Sequence, residues 1–180
     1  KKWVIVQDTI NPTITIKKES IGTSPYYSAI SFALSDSNKV DYAEVNGGKG
    51  TDYYYKWDWI IKLEVDIDFE NVDLTAPINI SGWGMLDGQG HTIKNVNITT
   101  ADNTDTAAGL FSASKYGKIK NLKLDDVHVK GSLVGGSTAG ILVSDCNAGI
   151  DNITITNSSV WGGKYTGGVV GYGYTYVTNC

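Results

Sequence analysis

A short pattern recurs along the second half of the chain, and it limits the fold more than any other feature. Ile93-Lys94-Asn95-Val96-Asn97-Ile98, Ile119-Lys120-Asn121-Leu122-Lys123-Leu124 and Ile150-Asp151-Asn152-Ile153-Thr154-Ile155 share one pattern, apolar-x-Asn-apolar-x-apolar. Val177-Thr178-Asn179-Cys180 opens it again. The four asparagines lie 26, 31 and 27 residues apart. Two further markers keep step. Gly109-Leu110-Phe111, Gly140-Ile141-Leu142 and Gly168-Val169-Val170 precede three of the Asn segments. Val127, Val129, Lys130 and Gly131 follow one of them, and Ser158, Val160, Trp161 and Gly162 follow the next. One such unit cannot bury its apolar side alone, whereas several stacked units can.

The unit carries short β-branched runs broken by Gly, Asn, Ser and Asp, with no apolar period of helical length. At ~3.3 Å per strand residue it is long enough for about three short strands and their corners. Stacked at ~4.8 Å, successive units form a solenoid. The expected fold is therefore all-β, a single-stranded right-handed parallel β-helix. Asn95, Asn121, Asn152 and Asn179 then fall at one bend per turn, where stacked amides hydrogen-bond along the column as a structural ladder.

Residues 1–56 lack the repeat and are expected to form an N-terminal cap, with the β-helix over 57–180. Ser24-Pro25 reads as the N-cap and first position of an amphipathic helix over about 25–36. Such a helix would cover the end of the core. Trp57, Trp59, Ile61, Leu63, Val65, Ile67 and Phe69 share one parity and Lys62, Glu64, Asp66 and Asp68 the other, the pattern of a half-buried strand. The repeat stops in mid-turn at Cys180, so further C-terminal residues or another chain are expected to cover it. The chain opens at Lys1-Lys2 without Met or a leader-like apolar segment, as a processed or trimmed polypeptide would. Cys146 and Cys180 sit about seven residues apart in the frame of the repeat, too far for a disulfide. Cys180 takes the place of an inward apolar residue.

All 15 basic residues are Lys, and the net charge is −4. Without Arg, and with an acidic balance, a nucleic-acid or anionic-membrane surface is not expected. No run approaches the length of a membrane span.

The glycine-led unit resembles the GLUG-motif repeats of bacterial surface proteins. Leu86-Asp87-Gly88-Gln89-Gly90-His91-Thr92-Ile93-Lys94-Asn95 is similar to the segment that precedes such repeats. The resemblance covers residues 57–180. It implies a parallel β-helix in a secreted or surface-anchored, adhesin-like protein. The motif's last glycine is kept at Gly171 and replaced at Ser112 and Val143.

Candidate chemistry is sparse. His91 follows Gly-Gln-Gly in a turn, and His128 points outward between two inward valines; either is foremost a structural residue and secondarily a general acid or base. Asp66, Asp68, Glu70 and Asp73 could gather around Ca²⁺ or form a solvated strand face. Asp105, with Asp125 and Asp126, is similar to acidic motifs of β-helical pectin hydrolases, but the His- and Arg-containing motifs of that family are missing. Tyr172, Tyr174 and Tyr176 alternate opposite Val177 and, if extended, present an aromatic row suited to a sugar or a protein. The leading expectation is a non-catalytic extracellular or cell-surface module that binds a glycan or host surface protein through this row, without a cofactor. The alternative is a polysaccharide-degrading β-helix enzyme or a fragment of one.

Overall fold

The computed structural model describes residues 2–8, 13–19, 59–63, 66–78, 84–102, 107–111, 118–147 and 149–180. All regular structure among them is strand. In chain order these are β1 (Lys2–Asp8), β2 (Thr13–Glu19), β3 (Trp59–Leu63), β4 (Ile67–Leu74), β5 (Gly84–Asp87), β6 (Thr92–Thr99), β7 (Ala107–Ala108) and β8 (Lys118–Lys130). They continue as β9 (Thr138–Gly140), β10 (Val143–Asp145), β11 (Gly149–Thr156), β12 (Ser159–Trp161), β13 (Tyr165–Gly167), β14 (Val170–Tyr172) and β15 (Val177–Thr178). The expected helix over 25–36 lies outside the described residues.

The described residues are all-β, and their strands pair in parallel except for the antiparallel pair β1–β2. Ten strands join one sheet, in which β3, β5, β8, β11 and β15 follow one another and β4, β6, β8 and β12 form a second run. β7, β9 and β13 make another sheet, and β10 and β14 a third. Parallel neighbours require a long return between strands. Here the return is the repeat itself: Ile119 faces Ile150, and Ile150 faces Val177.

The thirteen-residue β8 shows how the sequence bends. Ile119, Leu122, Leu124, Val127 and Val129 are buried, a spacing of three, two, three and two. Simple alternation would give twos throughout. The extra residue at each three-step is Asn121 or Asp126, with φ of 53° and 56°. A left-handed residue there turns the strand while keeping the next apolar side chain inward, and Asn and Asp tolerate that conformation better than most residues. The buried residues form one core with Phe69 and Phe111 as its largest fully buried members. Phe111 bridges between Ile78 and Val143.

Register divides the expected Asn column in two. Asn121 stands opposite Asn152, and Asn152 opposite Asn179. Asn95 stands opposite Asp126, which in turn stands opposite Asn157. Both columns are left-handed, with φ of 57° at Asn95 and 50° at Asn157. The bonding also departs from an amide stack. Asn152 donates to Asn121 Oδ1 at 2.9 Å, but the other corner amides named here donate to a carboxylate on the neighbouring strand or at its end. Asn95 reaches Asp68 at 2.8 Å, Asn121 reaches Asp87 at 3.0 Å, Asn157 reaches Asp125 at 2.8 Å and Asn179 reaches Asp151 at 2.9 Å. An ionised acceptor makes the stronger bond. The third glycine marker is shifted as well, since Gly167, not Gly168, faces Gly140.

Both cysteines are free thiols. Cys146 is buried, while Cys180 is exposed, against the expectation that it points inward. It follows Asn179 at the last strand, where Val177 is exposed too.

Candidate functional site

The second run of the large sheet holds a groove on its outer face. After each left-handed corner the parity is reset, so Val127 and Val129 point in while His128 and Lys130 point out. The same rule sets Val96 and Ile98 inward and Asn97 outward. Parallel register then stacks the outward residues in two columns. Asp73, Asn97, His128 and Ser159 form one. Thr99, Lys130 and Trp161 form the other. These side chains, with Val129 as floor, line a groove of about 460 Å³.

The first column is hydrogen-bonded at its two ends. Asn97 Nδ2 donates to Asp73 Oδ1 at 2.9 Å. His128 Nδ1 lies 2.8 Å from Ser159 Oγ, and its Nε2 lies 2.9 Å from Asp126 Oδ1. The second column ends in an aromatic platform. Trp161 is 51% exposed, and Lys130 Nζ sits 5.6 Å from its ring centroid, within cation–π range. A flat apolar ring beside planar polar groups can stack on the C–H face of a sugar and bond its hydroxyls.

The other sequence candidates fall elsewhere. Asp66 Oδ1 accepts from the Thr92 amide at 2.9 Å and lies 3.1 Å from His91 Nδ1. The Thr92 amide, followed by the neighbouring His91, holds Asp66 below the usual carboxylate range. Burial works to raise Asp68, but the Glu70 amide, Asn95 and Lys94 outweigh it and hold that carboxyl low. Glu70 lies in the left-handed pair Glu70-Asn71, a bulge opposite Asn95, and Asp73 belongs to the groove. Asp66, Asp68 and Asp73 thus bond to different residues. Among the described residues, no three His, Cys, Asp or Glu side chains cluster so as to hold a metal ion.

Asp125 accepts from Thr156 Oγ1 and Asn157 Nδ2, both at 2.8 Å, and these bonds hold it below the usual range. A general acid in glycoside hydrolysis needs the opposite shift. Asp126 turns toward His128, and Asp105 lies outside the described residues.

Tyr172, Tyr174 and Tyr176 are exposed, the last two by 84% and 87%. They do not form one straight row, because Gly173 between them has a φ of 143° and ends the strand. Tyr172 instead stacks against Tyr165, with ring centroids 5.1 Å apart. Lys130 and Trp161 were not among the sequence candidates. Both stand in the recurring Val-x-Gly marker, where an outward position taken by Lys in one unit and Trp in the next is the available signal.

No family model matches the chain, and no solved structure matches it. Among curated proteins it is similar to halomucin of Haloquadratum walsbyi, at 32% identity over 88 residues. That match covers 49% of this chain and 1% of halomucin, so the chain corresponds to a very small part of its relative. Among the described residues, no helix is long and apolar enough to cross a membrane.

Proposed function

We propose that this chain is a non-catalytic, extracellular or cell-surface module that binds a glycan, built on a right-handed parallel β-helix of the GLUG-repeat type. The β-helix reading is supported by parallel pairing that recurs at about the repeat length and by corner residues stacked in two columns. Similarity to a protein named as a mucin supports the extracellular placement. The observation that carries the binding function is the groove, where a half-exposed Trp161 shares the lining with hydrogen-bonding Asn97, Asp73 and Ser159. Native affinity electrophoresis through gels cast with polysaccharides tests it. Retarded migration is expected in at least one gel, and unretarded migration in every gel would count against glycan binding and leave a host protein as the ligand.

A second reading, a hydrolase, draws on one observation. Asp126, His128 and Ser159 lie in the order acid, base and hydroxyl, at 2.9 and 2.8 Å. That order is the one a nucleophilic serine needs. It keeps Asp126 as a place to look for catalysis and adds His128 and Ser159 in preference to Asp105 and Asp125. Covalent labelling of Ser159 by a fluorophosphonate would favour this reading over a binding module.

A further inference from the structure

We infer that the groove takes an extended, uncharged glycan chain lying across the strands, with Trp161 at one end and the Asp73–Asn97 pair at the other; this rests on the glycan-binding reading above. Three observations set the ligand class.

The first is length. The groove residues come from four successive strands, β4, β6, β8 and β12, which pair edge to edge. Three strand spacings at ~4.8 Å give about 14 Å, enough for about three pyranose units laid end to end. Because each turn contributes outward groups at one strand spacing, a chain crossing the strands meets a fresh pair of side chains at roughly every sugar. A compact monosaccharide would leave most of the groove uncovered.

The second is charge. Asp73 lines the groove and Asp126 adjoins it through His128, while Lys130 is the one lysine of the lining. The whole chain carries −4. A polyuronate or sulfated chain would bring charge against both carboxylates, a repulsion that an uncharged chain avoids. Lys130 is placed to serve the ring, with its ammonium over Trp161, and so stiffens the platform.

The third is the chemistry of the pair at the far end. The bond from Asn97 Nδ2 to Asp73 Oδ1 aligns the two planar groups and leaves each a further oxygen. Together they present acceptors to neighbouring hydroxyls, while the second Nδ2 hydrogen remains a donor. Vicinal hydroxyls of a neutral sugar supply complementary groups. Trp161 accepts the apolar ring face that such a sugar carries.

The test is isothermal titration of the full chain with galactomannan, xyloglucan and mixed-linkage β-glucan as neutral probes, and with polygalacturonate and hyaluronate as acidic ones. Each is run at low salt and at about 0.5 M NaCl, where charge–charge attraction is screened. The inference predicts binding to a neutral probe that salt changes less than twofold. It also predicts an affinity loss of about tenfold or more in Trp161→Ala, with Trp161→Phe retaining most of it. Thermal melts of both variants confirm folding. Binding to acidic probes alone, lost at high salt, would overturn the uncharged class while leaving the glycan reading intact. Neutral binding that survives Trp161→Ala but disappears in Tyr174→Ala would move the site to the tyrosines and overturn the groove. No binding to any probe would remove the glycan reading itself.

Discussion

Asn121 is the position where backbone and side-chain contributions to this fold can be separated most cleanly. It sits in β8 at φ 53°, accepts from Asn152 at 2.9 Å and donates to Asp87 at 3.0 Å. Asn121→Ala removes both bonds, each worth about 0.5–1.5 kcal/mol net. It also places a Cβ-bearing residue without a local polar group in the left-handed region, at about 1–2 kcal/mol. The sum is about 2–5 kcal/mol, a large part of a typical domain's margin. Asn121→Gly loses the same bonds but not the conformation, so about 0.5–1 kcal/mol should return after allowing for glycine's freer unfolded chain. Urea unfolding followed by circular dichroism resolves this as a shift in midpoint at constant slope. The order of stability expected is wild type, then glycine, then alanine. An alanine variant as stable as the glycine variant would refute the argument that a left-handed corner is what Asn supplies here.

Other perturbations probe the packing and the acids. Phe111→Ala, at a fully buried residue that bridges between Ile78 and Val143, should cost about 3–5 kcal/mol in the same urea assay. Gly140→Ala would place its Cβ 2.3 Å from the Val143 carbonyl oxygen and 2.5 Å from the Gly171 nitrogen. Both are backbone atoms, so a marked fall in melting temperature is expected, whereas Gly168→Ala, with open space around it, should melt near wild type. Asp66, Asp68 and Asp87 are all held below their ordinary value of 3.8. At Asp87 burial pulls upward but is outweighed by Asn121, the Gln89 amide and Lys120. Their stabilisation is therefore complete above about pH 4 and lost as pH falls through the lowered values. The urea midpoint should drop between pH 4 and pH 2, and Asp87→Asn should make that drop shallower.

The period of the repeat was legible because each unit repeats apolar residues at matching places, and Ile119 pairs with Ile150. Register was not. In β8 two left-handed corners, five residues apart, share one local pattern, apolar-x-Asn or Asp-apolar. Asn95 fits either corner by sequence, and only the pairing of Ile93 with Leu124 places it at the second. That misplacement also hid the groove, because it set Asn97 over Lys123 in place of His128. Asp68 and Asp125 looked like candidate chemistry for a related reason. A carboxylate one repeat away from an amide is invisible along the sequence, so they gave no sign that, like Asp87 and Asp151, they support the corners. The tyrosines looked like one row because alternation was carried through Gly173, whose φ of 143° breaks it.

The stacking of Asn97 over His128 underlies both the fold and the groove, and a cross-link tests it directly. In a Cys180→Ser background, which removes the exposed thiol, Asn97→Cys can be paired with His128→Cys or with Lys123→Cys. Neighbouring parallel strands put opposed Cα atoms within disulfide range, whereas residue 123 lies five residues back, around the Asp126 bend and beyond the ~7 Å limit. Mild oxidation followed by peptide mapping should give an intramolecular 97–128 disulfide and no 97–123 disulfide. A 97–123 bond, formed while 97–128 stays reduced, would contradict the register and with it the groove.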